Sequence, residues 1–249
     1  MKNYYLILFL TFFTISLNAQ IVRIDTLQNT TVFKPTKKST VNEVEYHYSI
    51  ALKALSIQQF PKLFKQLNSD DYYKLPLNGL LFKFNDNQIS YRISGDYYYN
   101  KNFTFQNECV DCEVMTGQLT NYSFKVGFEK NMDISKVQPY FAFDIGYNNN
   151  KFKGEASNTG IINYTDPYEA NSRKKSAILG PALGIKLNLI HHFTIGLESG
   201  IDFLFTYETQ EKAYHNAQRN RTFQKFNKVE LLMLPLSFLT LQYNFSQED

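Results

Sequence analysis

From about residue 44 to the end of the chain, apolar and polar residues alternate with a period of two, segment after segment. That period sends successive side chains to opposite faces of an extended strand, whereas a helix repeats its faces every 3.6 residues. The clearest segment sets Ile89, Tyr91, Ile93, Gly95, Tyr97 and Tyr99 against Gln88, Ser90, Arg92, Ser94 and Asp96. The same split recurs at Tyr122–Phe128, Phe141–Tyr147, Leu179–Leu187, Ile195–Phe205 and Leu239–Phe245. Two earlier segments, around Val44–Leu52 and Leu80–Phe84, follow it as well, although residues 50–57 also fit a helical period.

These segments predict eight strands, at roughly 44–56, 72–84, 88–100, 119–130, 137–148, 174–188, 193–207 and 229–245. The connections between them alternate. Three are turns of about three to six residues, and four are longer, at about 15–25 residues. Short turns at one end and long loops at the other are the rhythm of an up-and-down membrane barrel, and an even strand count returns both termini to the same side. The expected fold is therefore all-β, an eight-stranded antiparallel up-and-down transmembrane β-barrel, over residues 44–249.

The first residues fit export to such a place. Lys2 precedes an apolar run from Tyr4 to Leu17, and Leu17-Asn18-Ala19 offers a small residue before a cleavage point. That layout is a secretory signal peptide, assigned to residues 1–19; the run falls short of the ~20 residues that a spanning helix needs. Residues 20–43 are polar and read as a flexible periplasmic lead-in. The formal charge is +3, which points to neither nucleic acid nor a strongly acidic partner. The 18 Tyr and 22 Phe, with no Trp, suit strands and membrane interfaces.

If the apolar faces look outward, the polar faces fill the interior. They carry Lys83, Arg92, Lys125 and Lys186 together with Asp96, Glu129, Asp144, Glu198, Asp202 and Glu230. An eight-stranded barrel has room inside only for side chains, so these charges are expected to pair across the lumen rather than line a pore. Gly180, Gly184, Gly196 and Gly200 leave space for the longer side chains opposite.

Over about residues 72–245 the chain resembles the small outer-membrane β-barrel family of the OmpX and PorT-like type. The resemblance rests on the signal peptide, on Gly-and-aromatic strands such as Pro139-Tyr140-Phe141-Ala142-Phe143-Asp144-Ile145-Gly146-Tyr147, and on the closing Leu241-Gln242-Tyr243-Asn244-Phe245. Such a final strand looks like the signal read by barrel-assembly machinery, although here Ser246, Gln247, Glu248 and Asp249 follow Phe245. The resemblance implies a bacterial outer-membrane location, with outer-membrane lipids and lipopolysaccharide as surroundings. Function varies within such families, so fold does not decide it.

Candidate chemistry is sparse. Cys109 and Cys112 flank Val110-Asp111 in an expected outer loop, and an exported protein would hold them as a disulfide staple. Two cysteines do not make a structural zinc site, and no metal or cofactor is expected. His47, His191, His192 and His215 stand in no Ser–His motif; His215 shares an expected outer loop with Glu208 and Glu211. Arg173, Lys174, Lys175, Arg219 and Arg221 gather in the third and fourth long loops, where they would face lipopolysaccharide phosphates. No glycine-rich phosphate loop is present. The leading expectation is a non-enzymatic barrel with a closed, charge-filled lumen and outer loops that contact lipopolysaccharide, a surface partner or a secretion component. A barrel enzyme acting on lipid or peptide and a narrow channel are the alternatives.

Overall fold

The computed structural model describes residues 46–64, 66, 72–86, 88–106, 113–132, 136–158, 167–215 and 221–246, all within the unit Val41–Asp249. They form eight strands: β1 (Tyr48–Gln58), β2 (Tyr73–Asp86), β3 (Ile89–Gln106), β4 (Glu113–Asn131), β5 (Val137–Asn158), β6 (Tyr168–Ile190), β7 (Phe193–Tyr214) and β8 (Arg221–Phe245). Each pairs antiparallel with its sequence neighbours, and β1 pairs with β8, so the sheet closes into a ring without an edge. Residues 50–57, which fit two periods in the sequence, lie on strand β1. The described residues contain no helix. The signal peptide, the 20–43 lead-in, and Cys109 and Cys112 lie outside the described residues.

The end of the ring that carries the β2–β3, β4–β5 and β6–β7 turns and both chain ends is called here the near end. There the expected strand limits hold within two residues for every strand but β1. At the far end they do not. Strands β3 to β8 run six to ten residues further than expected, with β5 reaching 158 rather than 148 and β8 starting at 221 rather than 229. Most of what read as long loops is therefore strand.

The extra length differs in character from the rest. Along β6 the outward side chains in the near half are Ala177, Leu179, Pro181, Leu183, Ile185 and Leu187, and in the far part they become Glu169, Asn171, Arg173 and Lys175. The inward side chains change in the opposite sense. Lys186 points inward in the near half, and Tyr168 and Ala170 point inward at the far end. Strand β3 does the same, passing from inward Ser90, Arg92 and Ser94 to inward Phe103 and Phe105 across a bulge between Asn100 and Phe103. The near part is thus apolar outside and ionic inside, and the far part is polar outside and apolar inside.

The far interior is a true hydrophobic core. Phe103, Phe105, Met115, Leu119, Phe152, Ala156, Tyr168 and Ala170 come from the strands. Phe60 and Leu63, from the β1–β2 connection, complete it by folding into the ring. Hydrogen bonds tie this segment to β8: Gln59 N–H donates to the Met233 carbonyl at 3.2 Å, and Met233 N–H donates to the Gln59 side-chain Oε1 at 2.8 Å. Lys62 N–H donates to Glu230 at 3.1 Å, and Lys228 Nζ donates to the Lys62 carbonyl at 3.2 Å. Phe60 lies between Tyr73 and Tyr98, with ring centroids 4.8 and 4.9 Å away. Phe60 and Leu63 thus enter the ring as apolar contacts, with Phe64 packed beside them and no helix among the described residues of this segment.

Candidate functional site

The near interior holds a closed set of charges. Arg92 on β3 is its hub. Its Nε donates to Asp144 Oδ1 at 2.8 Å and its Nη2 to Asp144 Oδ2 at 2.6 Å, while Nη1 and Nη2 reach Glu198 at 2.5 and 3.2 Å. This double fork joins β3 to β5 and β7 across the ring. Glu129 on β4 receives Lys83 at 2.7 Å and Lys186 at 2.6 Å. Lys125 pairs with Asp202 at 2.6 Å, and Lys53 with Asp96 at 2.8 Å. The five cations Lys53, Lys83, Arg92, Lys125 and Lys186 therefore meet the five carboxylates Asp96, Glu129, Asp144, Glu198 and Asp202, and the cluster is neutral.

Aromatic rings thread this cluster. Tyr140 donates its hydroxyl to Glu198 at 2.9 Å, and the ammonium groups of Lys83 and Lys186 sit 5.6 and 5.2 Å from its ring centroid. Lys53 and Arg92 lie over Phe238 at 5.0 and 5.9 Å. A cation over a ring face is attracted by the ring quadrupole, more so when desolvated. The Tyr140 ring exists there because β6 has a glycine opposite: a Cβ on Gly184 would stand 2.2 Å from Tyr140 Cζ. Gly180 does the same for the Lys125–Asp202 pair, with Asp202 Oδ1 at 2.6 Å from an added Cβ.

A second cluster lies toward the far end. Lys174 and Lys228 meet Glu208 and Glu230 at 2.9–3.5 Å, again two against two. Ser172 and Gln210 add donors to Glu208 at 3.1 and 2.6 Å. Beside the near cluster is a cavity of about 40 Å³, lined by Lys53, Asp96, Lys125 and Asp202 and also by Phe60, Leu204 and Leu234. That is room for a few waters, far below the ~300 Å³ of a small-molecule site.

All eight residues expected in the interior network, Arg92, Asp96, Lys125, Glu129, Asp144, Lys186, Glu198 and Asp202, stand in these ion pairs. The expected imbalance of four positive to six negative charges is corrected on two counts. Lys53 belongs to the near cluster, and Glu230 belongs to the far one. Lys53, Lys174, Lys228 and Glu208 were not in the expected set. The period-two phase of their strands would have found Lys53 and Lys174.

The expected basic loops are also corrected. Arg173, Lys174 and Lys175 lie on β6, and Arg221 is the first residue of β8. Lys174 is fully buried and ion-paired, so it faces no outside phosphate. Arg221 is exposed and sits 3.7 Å from Glu211. Arg219 lies outside the described residues. Glu208, read beside His215, is buried in the far cluster, while His215 is exposed at the end of β7. His191 and His192 form the β6–β7 turn, where His192 Nδ1 lies 3.0 Å from the Asn244 carbonyl and its ring stacks on Tyr243. Among the described residues no three His, Cys, Asp or Glu side chains gather as metal ligands.

The outer face brings together residues that the sequence scattered. Read across β4–β5–β6–β7–β8 in register, one outward row is Phe124, Tyr147, Ala177, Phe205 and Val229. The next row toward the far end is Tyr122, Asn149, Lys175, Tyr207 and Asn227, and the row after that is Thr120, Lys151, Arg173, Thr209 and Lys225. Apolar, tyrosine-rich and cationic rows thus follow one another within three steps. No family model, no curated protein and no solved structure matches the chain.

Proposed function

We propose that this chain is an exported bacterial outer-membrane β-barrel of the OmpX and PorT-like kind, non-enzymatic, with a sealed lumen and a far end that makes contacts at the cell surface. The observation that carries this reading is the inversion of the two faces along the strands. Among the described residues 37 large apolar side chains are exposed and 20 apolar side chains are buried, the reverse of what water selects. Contiguous apolar surface on that scale is foreign to a soluble monomer. On β5 the outward apolar run from Val137 to Tyr147 spans about 25 Å along the axis, at ~3.3 Å per residue and ~40° of tilt. That is the height of the lipid-facing band of a membrane barrel. Beyond it the chain reverts to the water rule, polar outside and greasy inside, which fits strands that rise clear of the bilayer.

The same arrangement argues for a closed body. In hydrocarbon every backbone amide needs a partner, and a ring sheet supplies one to each. Inside, paired charges and the Phe60–Leu63 segment fill the section at two heights. Five cations against five carboxylates leave no net charge to select an ion. The far rim, in place of long loops, then becomes the surface available to lipopolysaccharide or to a surface or secretion protein.

The test is refolding of the mature chain from urea into phosphatidylcholine vesicles. The expected result is a form with altered gel mobility before heating and with protease-resistant strands. A compact monomer that stays folded in detergent-free buffer would refute the reading.

A further inference from the structure

We infer that the outward cation rows on β5, β6 and β8 form a binding site for the phosphate-bearing headgroup of an outer-leaflet lipid. Lys151 and Arg173 are directly paired across the β5–β6 ladder. Like charges in that position repel at a Cβ separation of ~5 Å, and a strand pair carrying them is destabilised unless an anion intervenes. None of Lys151, Lys153, Arg173 or Lys175 has an ion-pair partner among the described residues. The interior shows how unusual that is, because the ten near-cluster charges are all matched. Lys175 sits one row nearer the apolar band, opposite Tyr207 and Asn149, and Lys225 is two strands along from Arg173, across Thr209. Neighbouring strands are ~4.8 Å apart, so the directly paired Lys151 and Arg173 lie within reach of one doubly charged group, with Lys175 and Lys225 at its margin.

Position selects the ligand. The cations begin within two rows of the aromatic row at the end of the apolar band, the depth at which tyrosines meet headgroups. A phosphate presented there belongs to a lipid whose acyl chains lie against Phe205, Val229 and Tyr147. A guanidinium flanked by ammonium groups suits a phosphate monoester. The acidic outward pair Glu155 and Glu169 stands two rows further out, above Arg173 and Lys151, and would repel an anion from anywhere but the membrane side.

This inference rests on the membrane reading, and the experiment separates the two. Wild-type chain and the Lys151→Gln/Arg173→Gln variant are refolded into phosphatidylcholine vesicles, with and without a bisphosphorylated lipid A. Binding of lipid A is read by co-isolation and by the shift in unfolding temperature. Both proteins should insert in phosphatidylcholine alone; failure to insert would defeat the membrane reading and this inference together. Wild type should then retain lipid A and unfold at higher temperature, and the variant should bind about thirtyfold more weakly, or ~2 kcal/mol at 1.4 kcal/mol per tenfold, from ~1 kcal/mol for each cation near the surface. Equal retention by both proteins, or an equal temperature shift with inorganic phosphate in place of lipid A, would overturn the site while leaving the barrel intact.

Discussion

Replacing Arg92 with Leu would test whether the interior is dry. Arg92 is 2% exposed and is the ion-pair partner of both Asp144 and Glu198. Without it Asp144 has no cation within 4 Å among the described residues, and Glu198 keeps only the Tyr140 hydroxyl. The near cluster passes from five against five to four against five. Removing one member of a buried, hydrogen-bonded ion pair costs about 3–5 kcal/mol, because the stranded carboxylate stays desolvated. The folded fraction is measured along a urea titration in phosphatidylcholine vesicles by gel mobility without heating. With a slope of about 2 kcal/mol per molar urea, the midpoint should fall by roughly 1.5–2.5 M. The variant Arg92→Leu/Asp144→Asn restores four against four, and Glu198 then faces Lys83 and Lys186 around Tyr140. It should recover at least half of the loss. A fall below about 0.5 M for Arg92→Leu, equivalent to ~1 kcal/mol by the same slope, would mean that water already reaches both carboxylates, and the sealed interior would be wrong.

Three further outcomes are expected. Gly184→Ala forces a methyl group against a Tyr140 ring held by two ammonium groups and a carboxylate, and should cost ~1–3 kcal/mol by the same titration; Tyr140→Leu in the same chain should relieve it. Phe60→Ala empties a site between Tyr73 and Tyr98 and should cost about 3 kcal/mol, yet planar bilayers should still show no steady current, because the near cluster lies below; an open current would place the seal in the Phe60 segment instead. His215→Ala should leave lipid and peptide hydrolysis unchanged at the background level of the refolded wild type, whereas an activity lost in that variant would replace the non-enzymatic reading with a barrel enzyme.

The near half of the ring was legible because its strands keep their apolar residues to one face throughout. In β5, Phe141, Phe143, Ile145 and Tyr147 keep to odd numbers and Asp144 to an even one, so one solvent boundary explains the whole segment. Past Tyr147 the odd positions become Asn149, Lys151 and Lys153, and the apolar residue is Phe152, on an even number. The alternation persists, but apolar residues have changed faces. A period search that keeps one face apolar sees the strand stop, and Asn148-Asn149-Asn150 resembles a turn. On the membrane reading proposed above, the physical cause is a change in what surrounds the outward face, which no local window records. The same inversion hid Lys174. In Arg173-Lys174-Lys175 three adjacent cations look like a solvated loop, whereas the strand sends the middle one inward to Glu208 and Glu230. Lys53 was missed for another reason: it follows Ser49 and Ala51 on the polar face of β1, but that segment also fitted a helical period, so the residue was not counted among the interior charges. The pairing of particular charges was not legible at all, because it depends on strand order and stagger around a closed ring.

The central claim is that the outward apolar face of the near half meets hydrocarbon, and Leu183 tests it most directly. It lies mid-band on β6 and is 61% exposed. Leu183→Arg should destabilise the protein in phosphatidylcholine vesicles by ~2–4 kcal/mol, the cost of an arginine near the bilayer midplane. An unchanged or improved stability, the behaviour of a side chain that faces water, would contradict the account.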